Sequence, residues 1–293
     1  MTTNTRLAAV ATRRRRPVPI SKIVLTVVIS VGAFGMLYPL IWLLFASFKP
    51  NNEIFAVSQL LPQIWEFGNY AEGWFAAGTQ TFGRYFGNSV VIALASVVGN
   101  LISCSLAAFA FVRLKFRFKK PLFALMLMTV MLPAQVTIIP QFILFHSWGW
   151  VNTYWPLILP KFFGVEAFFI FLMIQFIRGI PRDLDDAAQL DGCNPWQLFW
   201  RIILPLLRPA LVTTAIFSFL WSYNDFFSPL IYLTESDLFT VPLALRQFLD
   251  SSGESAFGPM FAMSTLSLLP PIIMFAIFQR QIVDGIATSG LKG

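Results

Sequence analysis

The stretch NSVVIALASVVGNLISCSLAAFAFV, residues 88–112, contains no charged side chain. As an α-helix rising about 1.5 Å per residue, it outruns the roughly 30 Å of hydrocarbon in a bilayer. The rest of the chain is of the same kind. Hydrophobic residues make up 57% of its 293 residues and charged ones 12%, and its mean hydropathy is +0.69, well away from soluble composition. Around the block at 87–112 lie others of spanning length, at 23–47, 121–145, 155–177, 209–233 and 259–279. The chain therefore reads as an all-α polytopic membrane protein with six transmembrane helices. Pro133 and Pro140 interrupt the third block, and Pro270 and Pro271 the sixth. Broken helices are tolerated in a bilayer only where protein or a water-filled cavity satisfies the freed backbone groups, so these breaks point to a path.

Lysines and arginines set the expected orientation. They concentrate in the segment up to Lys22, in 113–120, in 178–208 and from Arg280 onward. The alternate segments hold only Lys49, Arg84 and Arg246, with Lys161 inside the fourth block. Basic loops stay in the cytoplasm, so both termini are expected there. The domain plan is a basic cytoplasmic arm at 1–22 carrying Arg13–Arg16, a six-helix transmembrane domain at 23–279, and a cytoplasmic tail at 280–293. The block after the arm is too long for a cleaved signal peptide and lacks a small-residue cleavage site. The net charge of +7 is then a topology signal with a lipid-headgroup contact, not a nucleic-acid footprint. Cys104 lies mid-span and Cys193 in a cytoplasmic loop, so no disulfide is expected, and no metal-ligand spacing exists. His146, beside Trp148 and Trp150, fits a membrane interface and is given no catalytic role.

Residues 178–208 are the densest in local signals. Pro181 ends the preceding span and Asp183 can cap a short helix, with Asp185 and Asp186 in its favourable first turn. Gly192 suits a left-handed stop. Asn194 is then a second cap, Pro195 suits the first helical position, and Gln197 completes a capping box. Trp196, Phe199, Trp200 and Ile203 give this second helix one apolar face, and Leu204-Pro205 closes it. The result is a compact knob whose small Ala187-Ala188 surface admits another protein's backbone. An amphipathic linker lying on the membrane accounts for the spacing alone equally well.

The string Asp186-Ala187-Ala188, then Asp191-Gly192, then Ile202 and Leu204-Pro205 resembles the EAA loop of ABC importer permeases, with Asp186 where that family usually has Glu. Other stretches extend the likeness over about 80–293. Phe82 to Val90 and Leu106 to Phe116 resemble the two ends of the second span in carbohydrate-uptake permeases. Leu132-Pro133, Ile139-Pro140 and the segment Trp148 to Thr153 are similar to the family's third span and outer loop. Trp221 to Pro242 resembles its fifth span, and the tail Gly285 to Gly293 that of the maltose-permease-like branch. The resemblance implies the type I importer architecture and assigns Asp186, Ala187, Ala188, Asp191, Gly192, Leu204 and Pro205 to coupling with a cytoplasmic ATPase.

No G-x-x-x-x-G-K-[ST] phosphate loop occurs in the chain, so it has no visible means of binding ATP. The resemblance supplies what is missing. It implies two copies of an ATP-binding subunit carrying ATP and Mg, a second homologous permease, and an extracytoplasmic solute-binding protein, in a bacterial or archaeal cell membrane. No cofactor is expected on this chain. The outer segment 234–258, with Glu235, Asp237, Asp250 and Glu254, is a candidate docking surface, or a merely solvated loop. Intramembrane polar residues are function candidates by default, and aromatic faces with amide and carboxylate groups suit sugars. Trp221, Tyr223, Asn224 and Asp225 are the best such cluster, although helix–helix hydrogen bonding explains Asn224 and Asp225 as well. Gln135 is a weaker candidate. Lys161 and Glu166, five apart, would not meet on one helix, so a snorkelling lysine and an interhelical partner for Glu166 are expected.

The favoured function is the permease subunit of a binding-protein-dependent ABC importer for a sugar or oligosaccharide. A glycerol-phosphate or polyol importer of the same branch is the near alternative, and an ion-gradient-driven secondary transporter the more distant one. The latter predicts acidic residues at span centres and internal repeats, of which there is little beyond Asp225. With one histidine, no metal-spaced ligands and no nucleophile motif, a membrane enzyme is disfavoured.

Overall fold

A computed structural model of the chain describes residues 20–55, 59–75, 81–249 and 256–290. The Arg13–Arg16 arm, Asp250, Glu254 and the last residues, 291–293, lie outside the described residues. Regular structure within them is helical throughout. The longer elements are α1 (Ile20–Ala46), α2 (Phe82–Arg113), α3 (Lys119–Val130), α4 (Ala134–Ser147), α5 (Ala167–Arg178), α6 (Asp183–Leu190), α7 (Arg208–Tyr223), α8 (Phe257–Ser267) and α9 (Leu269–Gly290). Four helical stretches are long and apolar enough to cross a bilayer, and two bent pairs bring the total to six. One bent pair, α3 and the α4 stretch from Gln135, turns through 105°.

The breaks differ from the expected ones in detail. Pro133 sits at the bend between α3 and α4, but Pro140 stays inside α4. Pro270 and Pro271 fall in the first turn of α9, after a break at Leu268. The first turn has no intrahelical use for those N–H groups, so proline is cheap there. The fifth block is also interrupted: α7 ends at Tyr223, and a short helix, Phe227–Tyr232, follows.

α2 is the mast of the molecule. Ser96, Gly99 and Asn100 on its buried side are small or polar, which lets neighbours come close. Asn100 Nδ2 donates to Ser218 Oγ of α7 at 2.8 Å, and Ser222 Oγ to Ser96 Oγ at 3.1 Å. Such interhelical bonds replace the hydrophobic drive that lipid removes. Lower on α2, Cys104, Ala108 and Phe109 join Phe169, Ile170, Met173, Ile174 and Ile177 of α5 in one core. Ala188, Leu198, Phe199, Ile203 and Leu207 belong to the same core, so the loop between the fourth and fifth spans is packed as part of the bundle.

At the opposite end, residues 234–249 fold onto the bundle rather than forming a solvated loop. Val241, Leu243, Ala244 and Phe248 are buried, and Ser89 Oγ accepts the Val241 N–H at 2.8 Å. Asn152, at φ 62°, accepts the N–H groups of Thr234 and Glu235. Arg84 faces Asp237 at 3.9 Å. At the same end Trp148 packs against Phe145 and Trp150, and His146 lies against Phe142. Cys104 and Cys193 are both free.

Candidate functional site

The 183–206 element follows its local chemistry closely. α6 starts at Asp183, with Arg182 rather than Asp183 in the cap position, and carries Asp185 and Asp186 in its first turn. It ends in a Schellman motif: the Gly192 N–H donates to Gln189 O at 3.0 Å and the Cys193 N–H to Ala188 O at 2.9 Å. Gly192 has φ +79°, a conformation that only glycine adopts without cost. Asn194 and Gln197 then form a reciprocal capping box at 2.8 and 3.0 Å, with Pro195 at the first helical position. Leu204-Pro205 does not close this helix. A widened π turn over Phe199–Ile203 precedes Pro205, which lacks the N–H of a regular turn and crowds the preceding carbonyl. The helix runs to Leu206, and the chain bends by 75° into α7.

Burial divides the element into an inner and an outer side. Ala188 faces the core, contrary to the expectation of an open Ala187-Ala188 surface, because Ala187 alone of the two is exposed. The supposed single apolar face is also split. Phe199 and Ile203 are buried, whereas Trp196 and Trp200 are uncovered. Asp186, Ala187, Asp191, Gly192 and Pro205 are exposed and Leu204 is half-buried. Leu190 is 90% exposed at the tip.

A buried ion pair between this element and the bundle joins residues far apart in sequence. Arg113 ends α2, and its Nε lies 2.8 Å from Asp185 Oδ2 with both side chains under a tenth exposed. Arg113 Nη2 also donates to Ile180 O at 2.9 Å, and Arg182 Nη2 reaches Val112 O at 3.5 Å. Asp185 Oδ1 has no hydrogen-bond partner among the described residues. Burial therefore raises the Asp185 pKa, more than the Arg113 and Arg182 charges lower it, with Asp186 adding a small push upward. A cavity of about 260 Å³ beside the pair is lined by Arg113, Arg178 and Arg182 together with Val112, Gly179, Ile180 and Pro181.

The candidate solute-path residues are not all brought together. Tyr223 is buried, stacks on Phe219 and donates to Ser267 O at 3.2 Å. Asp225 accepts the N–H groups of Phe227 and Ser228 and so starts the following short helix. Asn224 is exposed but donates to Leu220 O. Trp221 is 47% exposed, lying against Phe168 and Phe169 at 5.3 and 5.0 Å. Gln135 is exposed at the start of α4.

Lys161 and Glu166 do pair with each other, contrary to the helical-spacing argument. The span is not one helix: a 3₁₀ segment, Leu159–Phe163, leads to Gly164 at φ +68°, and α5 begins after Glu166. No group of three or more potential metal ligands occurs among the described residues.

The chain is 35% identical over 256 residues, 87% of its length and 84% of the relative, to the probable ABC transporter permease protein YurM of Bacillus subtilis. It is 34% identical over 283 residues, 96% and 100% of the two chains, to the arabinooligosaccharides transport system permease protein AraQ of Halalkalibacterium halodurans. With the trehalose/maltose transport system permease protein MalG of Thermococcus litoralis it shares 32% over 274 residues, 91% and 97%. A chain in the crystal structure of a bacterial ABC transporter involved in the import of the acidic polysaccharide alginate has the same fold. Its TM-score is 0.77 at 22% identity, with 89% of this chain and 96% of that chain covered. The model of binding-protein-dependent transport system inner membrane components matches residues 99–287, and the chain belongs to that family of ABC transporter permeases, a transport subunit rather than an enzyme.

Proposed function

We propose that this chain is the permease subunit of an ABC importer for a sugar or oligosaccharide. In this reading the 183–206 element seats in a cleft of an ATP-binding partner. The observation that carries the reading is the division of that element. Its inner side is continuous with the core, and its outer side leaves Asp186, Ala187, Leu190 and Gly192 uncovered. A rigidly held, exposed knob transmits movement of a partner into the bundle as a near-rigid tilt. The solute class is supported by relatives whose names specify arabinooligosaccharides, galactooligosaccharides and diacetylchitobiose.

The proposed assembly contains two ATP-binding subunits carrying ATP and Mg, a second permease, and an extracytoplasmic binding protein docking near 234–258. Both termini lie in the cytoplasm, with 1–22 as a basic arm, 23–279 as the spanning domain and 280–293 as the tail. Trp221, Asn224 and Gln135 remain candidates for the solute path, while Tyr223 and Asp225 hold local structure.

Uptake of labelled arabinotriose and maltotriose by proteoliposomes holding the purified complex tests the reading. ATP removal should abolish uptake, and an uncoupler at constant ATP should leave it intact. Uptake collapsed by the uncoupler alone would favour an ion-driven transporter.

A further inference from the structure

The Lys161–Glu166 pair sits where charged groups are most costly. Ser103 Oγ donates to the Lys161 carbonyl at 2.7 Å, and Ser103 lies about 15 Å along α2 from Arg113 at 1.5 Å per residue. That is about half the hydrocarbon thickness, so the pair lies near the bilayer midplane. The chain is also non-helical there, from the 3₁₀ segment through left-handed Gly164 to Glu166. Uncoiled backbone and ionised side chains persist at that depth only against protein or a water-filled cavity.

One side of the break is covered. Phe162 packs onto Gly99, and Cys104 Sγ lies 3.9 Å from Glu166 O. The other side is open. The Lys161 and Glu166 side chains are 28% and 26% exposed, and Phe163, Val165 and Phe168, their near neighbours in sequence, are uncovered as well. Phe168 lies in the first turn of α5, which follows Glu166, and Trp221 leans on it.

We propose that Lys161, Glu166 and the exposed face of Trp221 line the solute path at mid-membrane and contact the hydroxyls of a neutral carbohydrate, an inference that rests on the importer reading. The pair is neutral as a unit, so it demands no counter-charge from the solute. Beyond its bond to Glu166, the ammonium keeps two N–H donors, and the carboxylate keeps acceptor capacity. The two aromatic rings offer flat faces to sugar C–H groups. A neutral polyol ring matches this combination, whereas an anionic solute would meet Glu166 and break the pair.

The test is aqueous access to position 166 in the assembled importer. Glu166→Cys is made in a Cys104→Ala, Cys193→Ala background and reconstituted. It is labelled with a membrane-impermeant cationic methanethiosulfonate, at rest and with the ATPase trapped by vanadate. The inference expects labelling at least tenfold faster in one state than the other, slowed severalfold by whichever of arabinotriose or maltotriose the parent takes up. Separately, the double variant Lys161→Gln/Glu166→Gln in the natural background, which leaves neither charge unpaired, should raise KM about tenfold, the value of roughly one charge-assisted hydrogen bond, with kcat and expression little changed. No labelling in either state, or a fall in kcat and expression with KM unchanged, would assign the pair to a protein interface and overturn the inference. Failure of the importer reading gives a different result: the parent complex itself shows no ATP-driven uptake of either sugar.

Discussion

Replacing Arg113 by alanine removes the cation opposite Asp185 and leaves a buried carboxylate with one oxygen already unbonded. Breaking a buried pair from one side typically costs about 3–5 kcal/mol, and here the Ile180 carbonyl loses its donor as well. The orphaned acid has one escape, which is to take up a proton. That escape becomes cheaper by about 1.4 kcal/mol for each unit the pH falls. The Arg113→Ala defect should therefore shrink by up to about 1.4 kcal/mol per unit between pH 8 and pH 6. Asp185→Asn should be milder than Arg113→Ala at neutral pH, because burial already opposes the carboxylate charge. The sign in the parent protein follows from the same fact. With its folded pKa raised above the unfolded value, Asp185 binds its proton more tightly in the fold, so at this residue stability falls as pH rises through that window and is regained as pH drops. Thermal unfolding of the detergent-solubilised complex across pH, with the double variant Arg113→Ala/Asp185→Asn to close a mutant cycle, reads all of this. Equal defects for the two single variants at every pH, or strict additivity in the double variant, would refute the reasoning.

Gly192→Ala meets no steric contact, so its cost should be the left-handed φ alone, about 1–2 kcal/mol, with Gly192→Asn nearer the parent in the same melting assay. Gly99→Leu places a side chain into the Phe162 ring, which a Cβ would already meet at 2.8 Å. It should destabilise by about 1–3 kcal/mol and lower the yield of intact complex after solubilisation. Tyr223→Phe should cost about 1 kcal/mol through the lost bond to Ser267 and leave uptake KM unchanged, while Trp221→Ala should raise KM and also lower the melting point through the lost Phe168 and Phe169 contacts.

The parts of this fold that are legible in sequence are those written by neighbouring residues. Gly192, Asn194, Pro195 and Gln197 act within a few positions of one another, and the stop and capping box they specify both form. The unbroken apolar run in α2 is similarly self-contained. The misreadings come from assuming regular helix where the chain departs from it. Pro205 looked like a terminator, but a π turn absorbs it, and Lys161 and Glu166 looked too far apart until Gly164 took a left-handed φ. The Trp221–Asp225 cluster dissolves for a related reason: α7 stops at Tyr223, and Asp225 is spent on the next helix. Arg113–Asp185 had no local signal at all, since the partners belong to different helices and meet only through tertiary packing.

The central claim is that the 183–206 element is the seat of an ATP-binding subunit, and Ala187 is an exposed small residue on it. The most direct measurement is cross-linking from Ala187→Cys, in a Cys193→Ser background, within the complex purified from its native membrane. The account predicts a cross-link to the ATP-binding subunit that is lost when Gly192→Trp is added. A complex that assembles and transports normally, yet never cross-links from Ala187→Cys to that subunit, would contradict it.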